Sequence, residues 1–443
     1  MPSLEQMLQD TPYVSYTYSY PHKTAYRTFP APLRLSELWA QEERKTAFLY
    51  LHIPFCEMRC GFCNLFTTVD PKARFTTSYL DAMQRQATRV CAALGEIAVA
   101  RMALGGGTPT YLDADDLARI FDIAERLFGV SPGAVPTSVE TSPQTAGPAK
   151  LRLLRERGVD RISIGVQSFI EAEVHAAGRA QKTAMVEEAL AAIREVDFPT
   201  LNIDLIYGLP GQTLESWLVS LRAALRFEPE EVYLYPLYVR PLTGLARSSG
   251  ADYADSDGIL LACYREGRDL LLEAGYTQVS MRMFRASHAP VETGPVYCVQ
   301  DDGMVGLGCG ARSYTRTHHY SSEYAVGAKG VRAILNEYVA TPAEAFDFAY
   351  YGFSLNDEEH RRRYVIKSLL EADGLHLTAY QQRFGSDVFI DLPDLHELLS
   401  LDLAMIKDNK MVLTTVGIER SDTIGPWLYS ANVRNLMEGY QLR

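Results

Sequence analysis

The chain has no uninterrupted apolar run of about 18 residues, so no membrane-spanning helix is expected. Its N-terminus, MPSLEQMLQDTPYVSYTYSYP, lacks the charged-then-apolar order of a secretory signal. Positive charge is scarce: 43 Lys and Arg stand against 55 Asp and Glu, a net charge of −12. Nucleic acids and anionic membrane surfaces need a positive field to meet them, so neither is an expected partner. There is no internal repeat, no low-complexity stretch and no Walker-type phosphate loop. Cysteine is too sparse and too uneven for a disulfide framework. Three of the seven fall within eight residues, and Cys91, Cys263, Cys298 and Cys309 are scattered. That distribution reads as a metal site in a reducing compartment, and the expected address is the cytosol.

At roughly 100–200 residues per domain, 443 residues make about two to four domains. The first 45 or so residues are polar, rich in tyrosine and carry Pro21, Pro30 and Pro32; they read as an irregular arm lying on the body. Short β-rich apolar runs then recur at Phe48–Ile53, Arg101–Gly105, Ser138–Ser142, Arg161–Gln167, Leu201–Tyr207 and Glu231–Val239. Stretches with helical apolar spacing separate them, at Ser78–Leu94, Ala114–Leu127, Thr145–Arg157, Thr183–Val196 and Leu214–Phe227. Six strand–helix units in a row imply parallel strands with helical crossovers. Six is too few for an eight-fold barrel. The expected fold class is therefore α/β, a partial (β/α)6 TIM-like barrel with its function at the C-terminal strand ends.

The expected division is an arm over 1–45, the barrel over 46–245, an extension covering its open side over 246–345, and a small α+β unit over 346–443. In that last unit, helices at Asp357–Ala372, Thr378–Phe384 and Leu395–Leu403 precede a hairpin over Met405–Val412, turning at Asp408-Asn409. The order resembles a winged helix. Acidic residues outnumber basic ones there, which argues for a lid or docking role over DNA binding. His318-His319 reads as a surface loop.

The most informative segment is Tyr50-Leu-His-Ile-Pro-Phe-Cys56-Glu-Met-Arg-Cys60-Gly-Phe-Cys63-Asn64. Its C-x-x-x-C-x-x-C spacing puts three soft thiolates on one short loop after the first strand, a donor set for iron–sulfur or zinc. Structural zinc normally takes four ligands in paired steps, and a fourth is missing locally. A ferredoxin would also close its cluster with a fourth cysteine. Three cysteines leave one iron of a [4Fe-4S] cube open, which suits a cluster that binds a substrate or cofactor directly.

This arrangement resembles the radical S-adenosylmethionine (SAM) superfamily. The resemblance implies that the open iron chelates the amino and carboxylate groups of SAM. It also implies that an electron from the reduced cluster cleaves SAM to a 5′-deoxyadenosyl radical. Further motifs fit. Gly105-Gly106-Gly107-Thr108 follows the second strand, where consecutive glycines let backbone approach a ligand closely. Glu140 ends the third strand, and a carboxylate there could accept hydrogen bonds from ribose hydroxyls. Gln167 ends the fourth, and Arg179, twelve residues on, could pair with a SAM carboxylate. Asp204 lies inside the apolar fifth run, where a charge needs a partner.

Together these segments resemble the oxygen-independent coproporphyrinogen III oxidase family (HemN-like radical SAM proteins), best from about Tyr16 to Thr213. The likeness continues more loosely through Tyr276–Ser313 and the C-terminal unit. By that resemblance Cys56, Cys60 and Cys63 hold the cluster and Tyr50 packs near the first SAM. Gly105 to Thr108, Glu140, Gln167, Arg179 and Asp204 contact SAM groups. Gln300, in Tyr297-Cys-Val-Gln-Asp-Asp, lies where the family's active-site glutamine is found. A low-potential flavodoxin or ferredoxin is the implied reductant. In the porphyrinogen-oxidising and methylating branches a second SAM lies beside the first. A monomer is expected.

Fold analogy does not choose among the family's chemistries; the site must. The oxidases carry Cys-Gly-Cys-Asn at the third cysteine, whereas Asn64-Leu-Phe follows Cys63 here. Against that, Tyr16-Thr-Tyr-Ser-Tyr-Pro21 resembles their Tyr-Thr-Ser-Tyr-Pro segment with one residue inserted. The haem-chaperone branch has a Cys-Gln-His-Asn…Tyr-Trp segment where this chain has Tyr297-Cys-Val-Gln-Asp-Asp-Gly. The tyrosine-dense stretch Val232–Leu245 puts Tyr233, Tyr235 and Leu237 on one face of a strand, a floor for a planar substrate or plain core packing. Arg240 could pair with an acidic substrate or a SAM carboxylate. The leading expectation is a two-SAM enzyme transferring a one-carbon unit, by C-methylation or cyclopropanation, to an sp² carbon of a small planar or unsaturated molecule. Oxidative decarboxylation of tetrapyrrole propionates and haem trafficking are the alternatives.

Overall fold

The computed structural model describes residues 3–11, 13–70, 75–248, 257–291 and 303–442. At its centre β1 (Ala47–Ile53), β2 (Val99–Gly106), β3 (Thr137–Thr141), β4 (Arg161–Gln167), β5 (Thr200–Tyr207) and β6 (Glu231–Pro236) pair in sequence order, all parallel. Consecutive residues such as Leu51, His52 and Ile53, or Leu201, Asn202 and Ile203, are buried, as expected of strands covered on both faces. The crossovers are the helices Thr76–Leu94, Ala114–Phe128, Pro148–Glu156, Thr183–Val196 and Leu214–Leu225. Ala114–Phe128 shows why they form. Asp113 caps it through Asp116 N–H at 2.9 Å, Leu117, Ile120, Phe121, Ala124 and Phe128 are buried, and Gly129 ends it in the left-handed region. The third crossover starts at Pro148, not Thr145, because Thr145 is still tied into a turn with Ser142 and proline suits a first helical turn. The last strand stops at Pro236, short of Val239.

The sheet extends beyond these six strands. Met304–Leu307 pairs parallel with β1, and the sheet continues antiparallel through Arg312–Tyr314, His318–Ser321, Phe348–Ser354 and Arg27–Arg34. Past β6 it continues through Met283–Ala286 and Tyr276–Gln278. The partial barrel is thus flanked on both sides by antiparallel strands.

Two expectations are corrected. The arm is not irregular throughout: Leu4–Asp10 is a helix with a Ser3–Gln6 capping box, and Arg27–Arg34 is an edge strand. Pro30 and Pro32 are tolerated because that strand pairs on one side only and its register shifts between Thr28 and Leu33. His318-His319 is not a surface loop. In the strand His318–Ser321, His319 is fully buried, accepts from Arg363 Nη1 at 3.0 Å and lies 4.3 Å from the Tyr314 ring. Alternation along a strand sends neighbouring histidines to opposite faces.

A second buried cluster joins Leu4, Tyr20 and Tyr26 of the arm to Val365, Tyr380, Met411 and Trp427. Its helices run Asp357–Leu369, Leu377–Phe384 and Leu395–Ser400. The hairpin Ala404–Lys407/Lys410–Leu413 turns at Asp408 and Asn409, both at positive φ (49° and 60°), as a type I′ turn requires. Short helices Thr415–Glu419, Ser421–Trp427 and Ala431–Glu438 follow. Among the described residues no helix is long and apolar enough to cross a membrane.

Candidate functional site

The C-terminal ends of the parallel strands carry the chemistry-bearing motifs. Just beyond β1 lies the cysteine loop, fastened from several sides. Gly61 N–H donates to Ala177 O at 3.0 Å, Leu245 N–H donates to Gly61 O at 2.8 Å, and the Tyr324 hydroxyl donates to Asn64 O. Each sulfur meets one polar group: Thr108 Oγ1 lies 3.6 Å from Cys56 Sγ, Arg179 Nη1 3.3 Å from Cys60 Sγ, and Thr67 Oγ1 3.7 Å from Cys63 Sγ. Such hydrogen bonds tune iron–sulfur centres. Burial pushes the Cys56 thiol up to about 12, helped by Cys63. Burial raises Cys60 too, with Arg179 opposing it. Thiolates in this setting need a bound cation to form, and a metal supplies one.

Structural zinc normally takes four ligands and this loop offers three cysteines, whereas a cube spreads its ligands over separate irons. Gly107 leaves the space: a Cβ there would lie 2.9 Å from Cys56 Sγ and 2.6 Å from Phe55 O. The other described cysteines are placed elsewhere. Cys91 donates to Leu127 O at 2.9 Å, and Cys263 and Cys309 are buried.

Beside the loop, β2 and β3 bring Gly105 to Thr108 against Glu140. Gly106 N–H donates to Glu140 Oε2 at 3.0 Å, and a Cβ on Gly105 would meet the carboxylate at 2.9 Å. Gly106 has φ +114°, and a side chain there would strike the His52 ring. His52 in turn orients Tyr50. Its Nδ1 lies 3.2 Å from the Tyr50 hydroxyl, and its Nε2 lies 3.1 Å from Phe66 O. Burial lowers His52 to about 4, so it is neutral; Nε2 carries the proton toward the carbonyl and Nδ1 accepts from Tyr50.

Two carboxylates face this space. Desolvation raises Glu140 to about 7, with the Gly106 hydrogen bond opposing it, and desolvation raises Asp204 to about 6. Glu140 keeps an open face by surface area, and solvent contact there softens the shift. The partners of Asp204 are Asn202 Nδ2 at 2.8 Å and Ser163 Oγ at 3.4 Å. Gln167 sits at φ +70° beside a register slip, the kind of bulge that re-aims a side chain at a strand end. Arg179 is committed to Cys60 Sγ, Gly165 O at 2.7 Å and Gln181 Oε1 at 2.8 Å.

The arm forms the wall at the far side of the sheet. Tyr16 and Tyr18 keep 36% of their surface open. Both pack against neighbours, Tyr16 on Tyr235 and Arg282, Tyr18 on His22 and Arg312. Tyr233 and Tyr235 share a face with their rings stacked at 5.9 Å, and Tyr16 meets Tyr235 edge-on at 6.3 Å. Arg240 donates to Val14 O at 2.8 Å and lies 4.6 Å over the Tyr238 ring, which ties it to the arm. Gln300 and Cys298 lie outside the described residues.

Sequence reasoning missed Lys23, Arg282 and Arg312, which bring positive charge to this wall. Arg282 lies 3.9 Å over the Tyr16 ring and pairs with buried Asp422, to which the Tyr238 hydroxyl also donates. The arm motif around Tyr16 was visible, but its partners are distant in sequence.

Residues 50–224 match the Radical SAM superfamily. Heme chaperone HemW of Bacillus subtilis is 34% identical over 194 residues, 44% of this chain and 51% of that protein, so the chain spans about half the length of this relative. Oxygen-independent coproporphyrinogen III oxidase of Salmonella typhimurium is 27% identical over 392 residues, 84% of this chain and 83% of the other. The structure of coproporphyrinogen III oxidase (HemN) from Escherichia coli, a radical SAM enzyme, matches 96% of this chain and 97% of its own. The TM-score is 0.79 and the identity 24%, which establishes the shared fold. A three-thiolate loop on the first strand of a parallel partial barrel lies within residues 50–224, which match the radical SAM superfamily, whose enzymes work with a [4Fe-4S] cluster and SAM, and over four-fifths of its length the chain is similar to the HemN proteins.

Proposed function

We propose that the chain is a two-SAM enzyme that transfers a one-carbon unit, as a methyl group or by methylene transfer, to an sp² carbon of a small planar or unsaturated molecule. When bound, the cluster and SAM supply a 5′-deoxyadenosyl radical. The chain's own residues bind, orient and shield. Cys56, Cys60 and Cys63 hold the cluster. Gly105, Gly106, Gly107 and Thr108 let backbone approach the first SAM, and Glu140, Gln167, Arg179 and Asp204 meet its polar groups. Tyr50, held by His52, packs beside it. Arg240 and Gln300 serve the reacting molecules. In this reading residues 1–45 close the chamber, 46–245 carry the radical machinery, 246–345 house the second SAM and substrate, and 346–443 back the arm. The enzyme works as a cytosolic monomer reduced by a low-potential flavodoxin or ferredoxin.

The observation that carries this reading is the arm wall. Tyr16 and Tyr18 each keep 36% of their surface open although they pack on Tyr235, Arg282 and Arg312, which supports an open recess with room for a second ligand. The stacked Tyr233–Tyr235 pair suits a flat ligand. A second reading, oxidative decarboxylation of propionate side chains, is favoured by one specific fact: the relatives aligned over four-fifths of the chain are named oxygen-independent coproporphyrinogen III oxidases.

Product analysis separates the two. Cluster-loaded protein receives dithionite, SAM with a deuterated methyl group, and either coproporphyrinogen III or a panel of aromatic carboxylic acids. One-carbon transfer gives 5′-deoxyadenosine, S-adenosylhomocysteine and a deuterium-bearing product. Decarboxylation gives 5′-deoxyadenosine, methionine and CO₂ without S-adenosylhomocysteine.

A further inference from the structure

Two cations meet at Tyr18, with no carboxylate beside them among the described residues. Lys23 comes from the arm's short helix Lys23–Ala25, and Arg312 opens the strand Arg312–Tyr314. Arg312 Nη1 donates to Ser19 Oγ at 2.9 Å, and its guanidinium lies 4.7 Å from the Tyr18 ring. Lys23 Nζ sits 3.6 Å over the Tyr324 ring. The groups acting on Arg312 are the phenols Tyr18, Tyr314, Tyr26 and Tyr50. Those acting on Lys23 are Tyr18 and Tyr324, with Arg312 opposing its charge. His22 beside them stays neutral, through burial first and then the fields of Lys23, Arg312 and Arg240.

Among the described residues neither Lys23 nor Arg312 forms an ion pair. The contrast with neighbouring arginines is direct: Arg282 has Asp422, and Arg161 has Glu231 at 2.8 Å. Placing two like charges side by side in a protein interior is costly unless an anion joins them. The phenols between them relieve the repulsion only in part. Burial raises the Tyr18 phenol, yet Arg312 and Lys23 together bring it below its ordinary value. Tyr18 keeps 36% of its surface open, and Lys23 and Arg312 are each only partly buried.

We infer that Lys23, Arg312 and the Tyr18 hydroxyl form a receptor for the carboxylate of a small molecule bound in the chamber. Arginine presents a planar fork that matches a carboxylate, lysine adds a point charge, and the phenol donates a third hydrogen bond. The inference rests on the proposed reading of this space as the reaction chamber. Two molecules could bring the group: a second SAM, through its methionyl carboxylate, or an organic-acid substrate.

The test uses the full chain with its cluster, under nitrogen, as wild type, Arg312→Leu, Lys23→Met and the conservative Arg312→Lys. Iron content and thermal melting are checked first, and Tyr18→Phe replaces any variant that fails to fold. Equilibrium dialysis counts bound SAM. Calorimetry without SAM compares benzoate with its neutral isostere benzamide. If the source is a second SAM, wild type binds two per chain and the Leu and Met variants bind one. If it is an organic acid, SAM counts match, wild type binds benzoate at least tenfold tighter than benzamide, and the variants lose that preference while Arg312→Lys keeps part of it. A wild type that binds one SAM and does not prefer benzoate overturns the inference, as do variants that bind both probes like wild type. Because the benzoate arm needs no SAM, failure of the radical SAM reading would show separately, as no SAM bound at all.

Discussion

Arg179 Nη1 donates to Cys60 Sγ at 3.3 Å, and the same guanidinium is fixed by Gly165 O at 2.7 Å and Gln181 Oε1 at 2.8 Å. A cation held against one cluster ligand stabilises the more negative, reduced cluster. Arg179→Gln removes that charge. The cluster should then be harder to reduce, with a midpoint potential lower by tens of millivolts in a redox titration followed by electron paramagnetic resonance. An unchanged potential would mean that the contact does not survive cluster loading.

His52 links three walls of the site. It accepts from Tyr50, donates to Phe66 O, and its ring fills the space left open by Gly106. His52→Leu leaves the Phe66 carbonyl and the Tyr50 hydroxyl without their partner. Losing hydrogen bonds of this kind costs about 1–3 kcal/mol, which denaturant unfolding of the cluster-free protein will report. SAM affinity should fall as well, because Tyr50 loses its orientation.

The raised pKa of Glu140, about 7 through desolvation, gives SAM binding a pH dependence. Below that value the carboxyl is neutral and accepts hydrogen bonds weakly; above it the carboxylate is charged and accepts strongly. SAM affinity should therefore rise severalfold from about pH 6 to about pH 8. In Glu140→Gln the profile should be flat and the affinity low throughout. A wild-type profile without slope would place the ribose elsewhere.

Arg282 and Asp422 pair almost out of reach of solvent, at 3% and 1% side-chain exposure, and hold the helix Ser421–Trp427 to the barrel. Breaking a buried pair by removing one charge costs about 3–5 kcal/mol. Asp422→Asn should lower unfolding stability by that order and loosen the arm, because Ser15 N–H donates to Asp422 O and Tyr16 stacks on Arg282. Hydrogen exchange at residues 13–20 reports the loosening.

The parallel core was legible because each strand is an apolar run ended by a turn and each crossover has an apolar stripe; observed strand bounds differ from the expected ones by three residues at most. The cysteines, the glycine motif, Glu140, Gln167 and Asp204 were picked out for a related reason: the order of strands in the sequence marks where each lies along the parallel sheet. The chamber's cationic wall was not. Arg312 and Ser19 are 293 residues apart and Arg282 and Asp422 are 140 apart, and no local pattern signals such pairings. The His319 site failed for a smaller reason: a four-residue strand between turns carries too little alternation to read.

The central claim, a three-thiolate cube whose free iron takes SAM, is tested most directly by paramagnetic resonance of the dithionite-reduced, anaerobically loaded protein before and after SAM. The account predicts about four irons per chain and a spectrum that changes when SAM is added. Zinc in place of iron, or a cluster signal indifferent to SAM, would contradict it.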